Sequence, residues 1–93
     1  MEVLTQYLKA NGYSQLTGIS VSTGFTVVEG TKLALCQAEA QQVRWRDDGT
    51  APTATVGMIL QPGDTLIYDA ADMVNLKFIQ VVAGAIVNVS QYK

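Results

Sequence analysis

The stretch Val56-Gly57-Met58-Ile59-Leu60-Gln61-Pro62-Gly63-Asp64-Thr65-Leu66-Ile67-Tyr68 decides the fold class. Two short runs of branched and aromatic residues flank a Pro-Gly pair. Pro presets φ at the second position of a type II turn, and Gly tolerates the positive φ that the next position needs. Side chains alternate across a strand, so Val56, Met58 and Leu60 share one face before the turn, and Leu66 and Tyr68 share one on the returning strand. The stretch reads as two strands and a turn.

The same period of two runs outward in both directions. Val43 and Trp45 face one way, with Arg44 and Arg46 opposite. Val74, Leu76 and Phe78 share a face, with Asn75 and Lys77 opposite. Ala85, Val87 and Val89 align, leaving Asn88, Ser90 and Tyr92 on the other side. Turn signals recur at Asn11-Gly12, Ser22-Thr23-Gly24, Glu29-Gly30, Asp48-Gly49 and Ala83-Gly84. Short strands with turns every ~8–12 residues are the pattern of a sandwich or barrel. The expectation is an all-β chain, an antiparallel β-sandwich of jelly-roll or immunoglobulin-like build. Thr50-Ala51-Pro52 after Asp48-Gly49 implies a longer loop there than a two-residue hairpin.

The beginning reads differently. Val3, Leu4, Tyr7 and Leu8 have helical spacing, with Asn11-Gly12 as a stop. Two readings stay open, a short helix or an extended arm that orders on a partner. The expected division is residues 1–15 as arm or short helix and 16–93 as the sandwich domain. Val3, Leu4, Tyr7, Leu8 and Tyr13 are the candidate partner contacts, unless the segment folds back over an open end of the sandwich.

With 93 residues there is room for one core, burying roughly 60–65% of the surface the unfolded chain exposes. Hydrophobic residues make up 48% and charged residues only 15%, well below the usual quarter, about 25%. A surface so poor in charge suits a protein that works docked against something. Six scattered basic residues and a net charge of −2 supply no phosphate-tracking stripe, which argues against nucleic acid. No apolar run approaches the ~20 residues of a membrane helix, and Met1-Glu2-Val3-Leu4 lacks the basic start of a secretory signal. The single Cys36 excludes an internal disulfide framework, and its apolar neighbours make it a core residue rather than a reactive thiol.

Chemistry is scarce. The chain has no His, which removes the usual general base and the commonest metal ligand. Asp47-Asp48 misses the calcium-loop spacing, and adjacent strand residues point apart. Those carboxylates are expected to cap the turn and pair with Arg44 or Arg46. The expectation is a binding protein that is not an enzyme, with no cofactor and no metal site.

The string Val43-Arg44-Trp45-Arg46-Asp47-Asp48-Gly49-Thr50-Ala51-Pro52-Thr53-Ala54-Thr55-Val56-Gly57-Met58 resembles a motif of small phage-encoded proteins, VRWRDDGTxPTxxxGM. In that group it is followed by a Gly-containing turn, an IxFI-like strand and a terminal NVSYY-like strand. Their counterparts here are Leu76-Lys77-Phe78-Ile79 and Asn88-Val89-Ser90-Gln91-Tyr92. The resemblance covers residues 32 to 93, and residues 1 to 31 lie outside it. It implies a virion-associated structural protein, assembled in the bacterial host cytoplasm, that decorates or cements the head by binding the major capsid protein. Bridging a local threefold would make it a homotrimer. Arg44, Trp45, Arg46, Asp47, Asp48 and Gly49 then form a structural motif, Trp45 in the core and the arginines tied to the acidic turn. The alternative is a receptor- or carbohydrate-binding module of a tail or fibre, for which Tyr68 with Asp69 and Asp72 is the candidate sugar site.

Overall fold

The computed structural model describes residues 8–93. Seven strands form: β1 (Ala10–Leu16), β2 (Leu33–Glu39), β3 (Val43–Arg46), β4 (Met58–Leu60), β5 (Thr65–Asp69), β6 (Lys77–Gln80) and β7 (Ile86–Tyr92), with a 3₁₀ segment at Ala70–Asn75. They make two antiparallel sheets, ordered β1-β7-β2-β5 and β4-β3-β6. The two sheets pack face to face as a sandwich.

The order identifies the build. Residues 19–23 lie along the free edge of β6: Thr23 and Phe78 exchange both backbone hydrogen bonds at 2.8 Å, and the Gln80 amide donates to the Ile19 carbonyl at 2.9 Å. Counting this stretch as a strand between β1 and β2 gives two four-membered sheets that the chain visits in jelly-roll order. It also covers one edge that would otherwise stand open.

Alternation works as expected in β5 and β7, and it holds in β2 as well. Ala34, Cys36 and Ala38 of β2, and Val87, Val89 and Gln91 of β7, point inward and are buried. Leu66 and Tyr68 of β5 pack against the same core. The inward side chains of β2 are small, and the bulk comes from the opposite side: Val43, Leu60 and Phe78 of the three-stranded sheet, with Ile19, Met73 and Leu76 from the connections. Small facing large lets two sheets close without voids.

Gln91 is the one buried polar side chain among the described residues. Its Oε1 accepts from the Val28 amide and the Thr31 hydroxyl, both at 2.9 Å, and its Nε2 donates to the Thr26 carbonyl at 2.9 Å. Asn11 Nδ2 donates to the same Thr31 hydroxyl at 2.8 Å. These bonds fasten the returning leg of the β1–β2 connection across the end of the four-stranded sheet.

Five expectations are corrected. The strand after Pro62-Gly63 does not pair with the one before it: β4 and β5 belong to different sheets, and the turn carries the chain across the sandwich. Val74 does not share the face of Leu76 and Phe78; it lies in the 3₁₀ segment and is 65% exposed. Met58 shares the parity of Leu60 but sits at the rim, 60% exposed. The boundary at residue 15 is not observed, because residues 10–16 are β1, hydrogen-bonded along β7. Asn11-Gly12 does not stop a helix. Gly12 lies at a register shift, a bulge that lets β1 follow the twist of β7. Of the candidate contacts, Val3, Leu4 and Tyr7 lie outside the described residues, whereas Leu8 is half-buried and Tyr13 belongs to β1.

Ala40, between β2 and β3, holds φ at 76°. An L-residue there costs about 1–2 kcal/mol, so Ala40→Gly should stabilise the fold by about 0.5–1 kcal/mol after the extra chain entropy of glycine is counted. Gln91→Leu strands the partners of the amide and should destabilise by about 2–4 kcal/mol. Urea unfolding of both variants measures the two effects, and they should have opposite signs.

Candidate functional site

The motif at residues 43–49 occupies β3 and the start of the long loop 47–57. Parity turns Val43 inward, fully buried, while Trp45 beside Met58 and Phe78 is half-buried against the core. Trp45 is therefore at the margin of the core rather than in its centre. Arg44 and Arg46 face outward, and their partners differ from the expected network. Arg44 donates through Nη1 to the Gly57 carbonyl at 2.8 Å and through Nε to the Ala54 carbonyl at 3.2 Å. It clamps the loop, not the acids. Gly57 is required beside it, since a Cβ there would come 3.1 Å from the Arg44 Cβ and 3.2 Å from the Trp45 carbonyl.

Arg46 does pair with Asp48, Nε to Oδ1 at 3.0 Å and Nη2 to Oδ2 at 2.6 Å. The hydrogen bond from Arg46 holds the Asp48 carboxyl below its usual range, aided by the Thr50 amide. What this gives to stability is present above the unfolded carboxylate value and fades as pH falls through the folded one. The pair is exposed, so solvent and salt leave little of it. Gly49 follows at φ 88°, a left-handed turn position that favours glycine.

Asp47 turns instead to the other sheet. Its Oδ2 accepts the Tyr68 hydroxyl at 2.6 Å, a bond between the β3–β4 loop and β5. Tyr68 is therefore committed to the fold, and Asp69 and Asp72 stand exposed without it. The candidate sugar site does not assemble as an open aromatic beside free carboxylates.

Arg46, Asp47, Asp48, Val56, Gly57 and Met58 line a shallow pocket of about 300 Å³. It holds no nucleophile with a base in reach. No group of His, Cys, Asp and Glu side chains among the described residues is arranged to hold a metal ion. Cys36 lies in the core, where burial pushes its thiol up to about 12, so it stays protonated and inert.

Compared with known protein families, with curated proteins and with solved structures, the chain matches none.

A second surface lies on the outward face of the four-stranded sheet. The register sets Tyr13, Ser90, Leu35 and Ile67 in one row across β1, β7, β2 and β5, with Tyr92, Leu33 and Asp69 in the next. An antiparallel sheet that faces water on one side is normally polar there. Here Tyr13 is 64% and Ile67 38% exposed. The signal was present in Leu33-Ala34-Leu35-Cys36, apolar at every position where a strand with a plain solvent face would alternate.

The Tyr68–Asp47 bond gives a pH test. That hydrogen bond first, then burial, then the charges of Asp47, Asp72 and Asp69 raise the phenol from 10.0 to about 12. A raised folded value means that the contribution is whole below pH 10.0 and is lost as pH climbs through about 12. Absorbance titration should show a late ionisation of Tyr68. Tyr68→Phe should remove it, and Asp47→Asn should move it back toward ordinary titration.

Proposed function

We propose that the chain is a structural protein of a bacteriophage virion that binds the outer surface of the head, on the major capsid protein, as a decoration or cement protein. The observation that carries this reading is the outward apolar face of the four-stranded sheet. Tyr13 and Ile67 stand exposed in one row with the half-buried Leu35, and Leu33 and Tyr92 follow in the next. Apolar area of this kind on a small domain marks an interaction surface. The described side chains on this face offer docking area. The sequence resemblance at residues 43–58 supplies the phage setting, and the jelly-roll build, which recurs in capsid and lectin domains, agrees with it by analogy only.

Cementing is mechanically reasonable for such a body. A connection locked to the four-stranded sheet by Gln91, and a loop locked by Arg44 and Asp47, make a rigid block that loses little conformational freedom on docking. A homotrimer set over a local threefold would bridge neighbouring capsid subunits.

Rebinding to purified particles depleted of this chain tests the reading. The protein should bind saturably, in a copy number that is a multiple of the capsid threefold positions, and should raise the temperature at which the heads burst. Particles that take up no protein at saturating concentration overturn it.

A further inference from the structure

We propose that the outward face of the four-stranded sheet is the docking surface itself, and that its occupant is a different protein with an apolar strip, carboxylates at one end of that strip and a basic group at the other. This rests on the reading of the chain as a docking protein and adds which surface binds and what it meets.

The face is graded along the strands. At one end lie Leu33, Tyr92 and Asp69, then the row Tyr13, Ser90, Leu35 and Ile67; at the other lie Gln15, Asn88, Gln37 and Thr65, then Glu39 beside Ile86. Mostly apolar rows give way to a row of amides and a hydroxyl halfway along the strands. The charges are graded as well. No Lys or Arg occurs within β1, β2, β5 or β7. Lys9, Lys32 and Lys93 all stand just beyond the strand ends on the apolar side, Lys9 and Lys93 exchanging backbone hydrogen bonds at 2.8 Å and the Lys32 amide reaching the Tyr92 carbonyl at 2.8 Å. Glu29 and Asp69 share that end. Glu39 and Asp64 mark the other, with no basic residue in the adjoining strands.

That grading argues against a second copy. A two-fold axis along the strands that lays apolar rows on apolar rows exchanges β1 with β5 and β7 with β2, so Lys93 of one copy meets Lys32 of the other and only Lys9 gains a counter-charge, Asp69. The two-fold axis that sets lysines over Glu39 puts Leu33 and Leu35 over Gln37 and Asn88, where amides would lose water without gaining partners. No self-pairing satisfies both. A heterologous partner does, with an apolar strip over Leu33, Leu35 and Ile67, acidic groups facing the lysines and a cation over Glu39.

The face is also set before anything binds. The Tyr13 hydroxyl donates to Asn88 Oδ1 at 2.6 Å, Gln15 Nε2 donates to the same oxygen at 3.0 Å, and Asn88 Nδ2 donates to Glu39 Oε1 at 2.8 Å. Side chains on β1, β7 and β2 are thus tied across the strands, and little rotamer freedom remains to be lost.

The experiment uses the full chain, particles depleted of it, and variants with polar or charge-reversing replacements on the face. Leu35→Thr/Ile67→Thr and, separately, Tyr13→Ser should each weaken particle binding by tenfold or more at unchanged melting temperature. Glu39→Lys should weaken it severalfold and change its salt dependence. Val82→Thr, an exposed apolar position off this face, should bind as the wild type. Sedimentation should give one oligomeric state for all of them. Should the double variant unfold, Tyr13→Ser and Glu39→Lys carry the test. Face variants that bind as tightly as the wild type overturn the surface and leave the docking function standing. Wild-type protein that does not bind overturns both. Face variants that dissociate an oligomer show a self-interface and overturn the occupant.

Discussion

The amide of Gln91 is the constraint on which the rest of the molecule depends. A jelly roll needs its chain to leave one sheet, run along the other and come back, and the returning leg here, residues 24–31, has no strand ladder of its own. Its polar backbone is drawn in beside the core, where an unpaired amide or carbonyl is costly. Gln91 answers both kinds of group at once, accepting from Val28 and donating to Thr26. Because it continues the inward parity of Val87 and Val89, the bond fixes the register of β7 as well. A one-residue slip would turn the amide outward and two valines with it.

From that anchor the two halves of the sandwich divide the work. The four-stranded sheet is smooth inside, with Ala34, Cys36 and Ala38 along β2, and apolar outside at one end. The three-stranded sheet supplies bulk inside and carries on its outer side the arginine-clamped loop. The phage-like motif belongs to this second half, where Arg44 and Asp47 hold loop 47–57 in place. On this reading the motif builds the block and the opposite sheet uses it.

Much of the fold was legible in the sequence, because burial on one face of a strand leaves a period-two trace. β7 is the plainest case: Val87 and Val89 in, Asn88 and Ser90 out. Less of the candidate site was legible. Arg44 and Arg46 have the same parity and the same acidic neighbours in sequence, yet only Arg46, at the strand's end, reaches the turn; Arg44 finds carbonyls ten and thirteen residues on. Pro62-Gly63 specified a turn but not its destination, since pairing within a sheet or across the sandwich is settled by distant partners. Asn11-Gly12 suits a helix stop and a strand bulge equally, and the open edge of β7 selects the second. Val74 followed the parity of Leu76, but a 3₁₀ segment does not keep the strand's alternation.

β7, the seventh of the described strands, is an inner strand of its sheet. β1 and β2 follow one another in sequence and share no ladder; each pairs with β7 on a different side. During synthesis, therefore, β1 must wait for β7, and only the β2–β5 pair of that sheet can form in the meantime. Closing contacts over such a separation is slow, in the millisecond-to-second regime typical of all-β topologies. The outward face, whose rows run across β1, β7, β2 and β5, does not exist until that closure is complete. A nascent or partly degraded chain thus lacks that face, and loss of β7 would open the middle of the sheet rather than trim its edge.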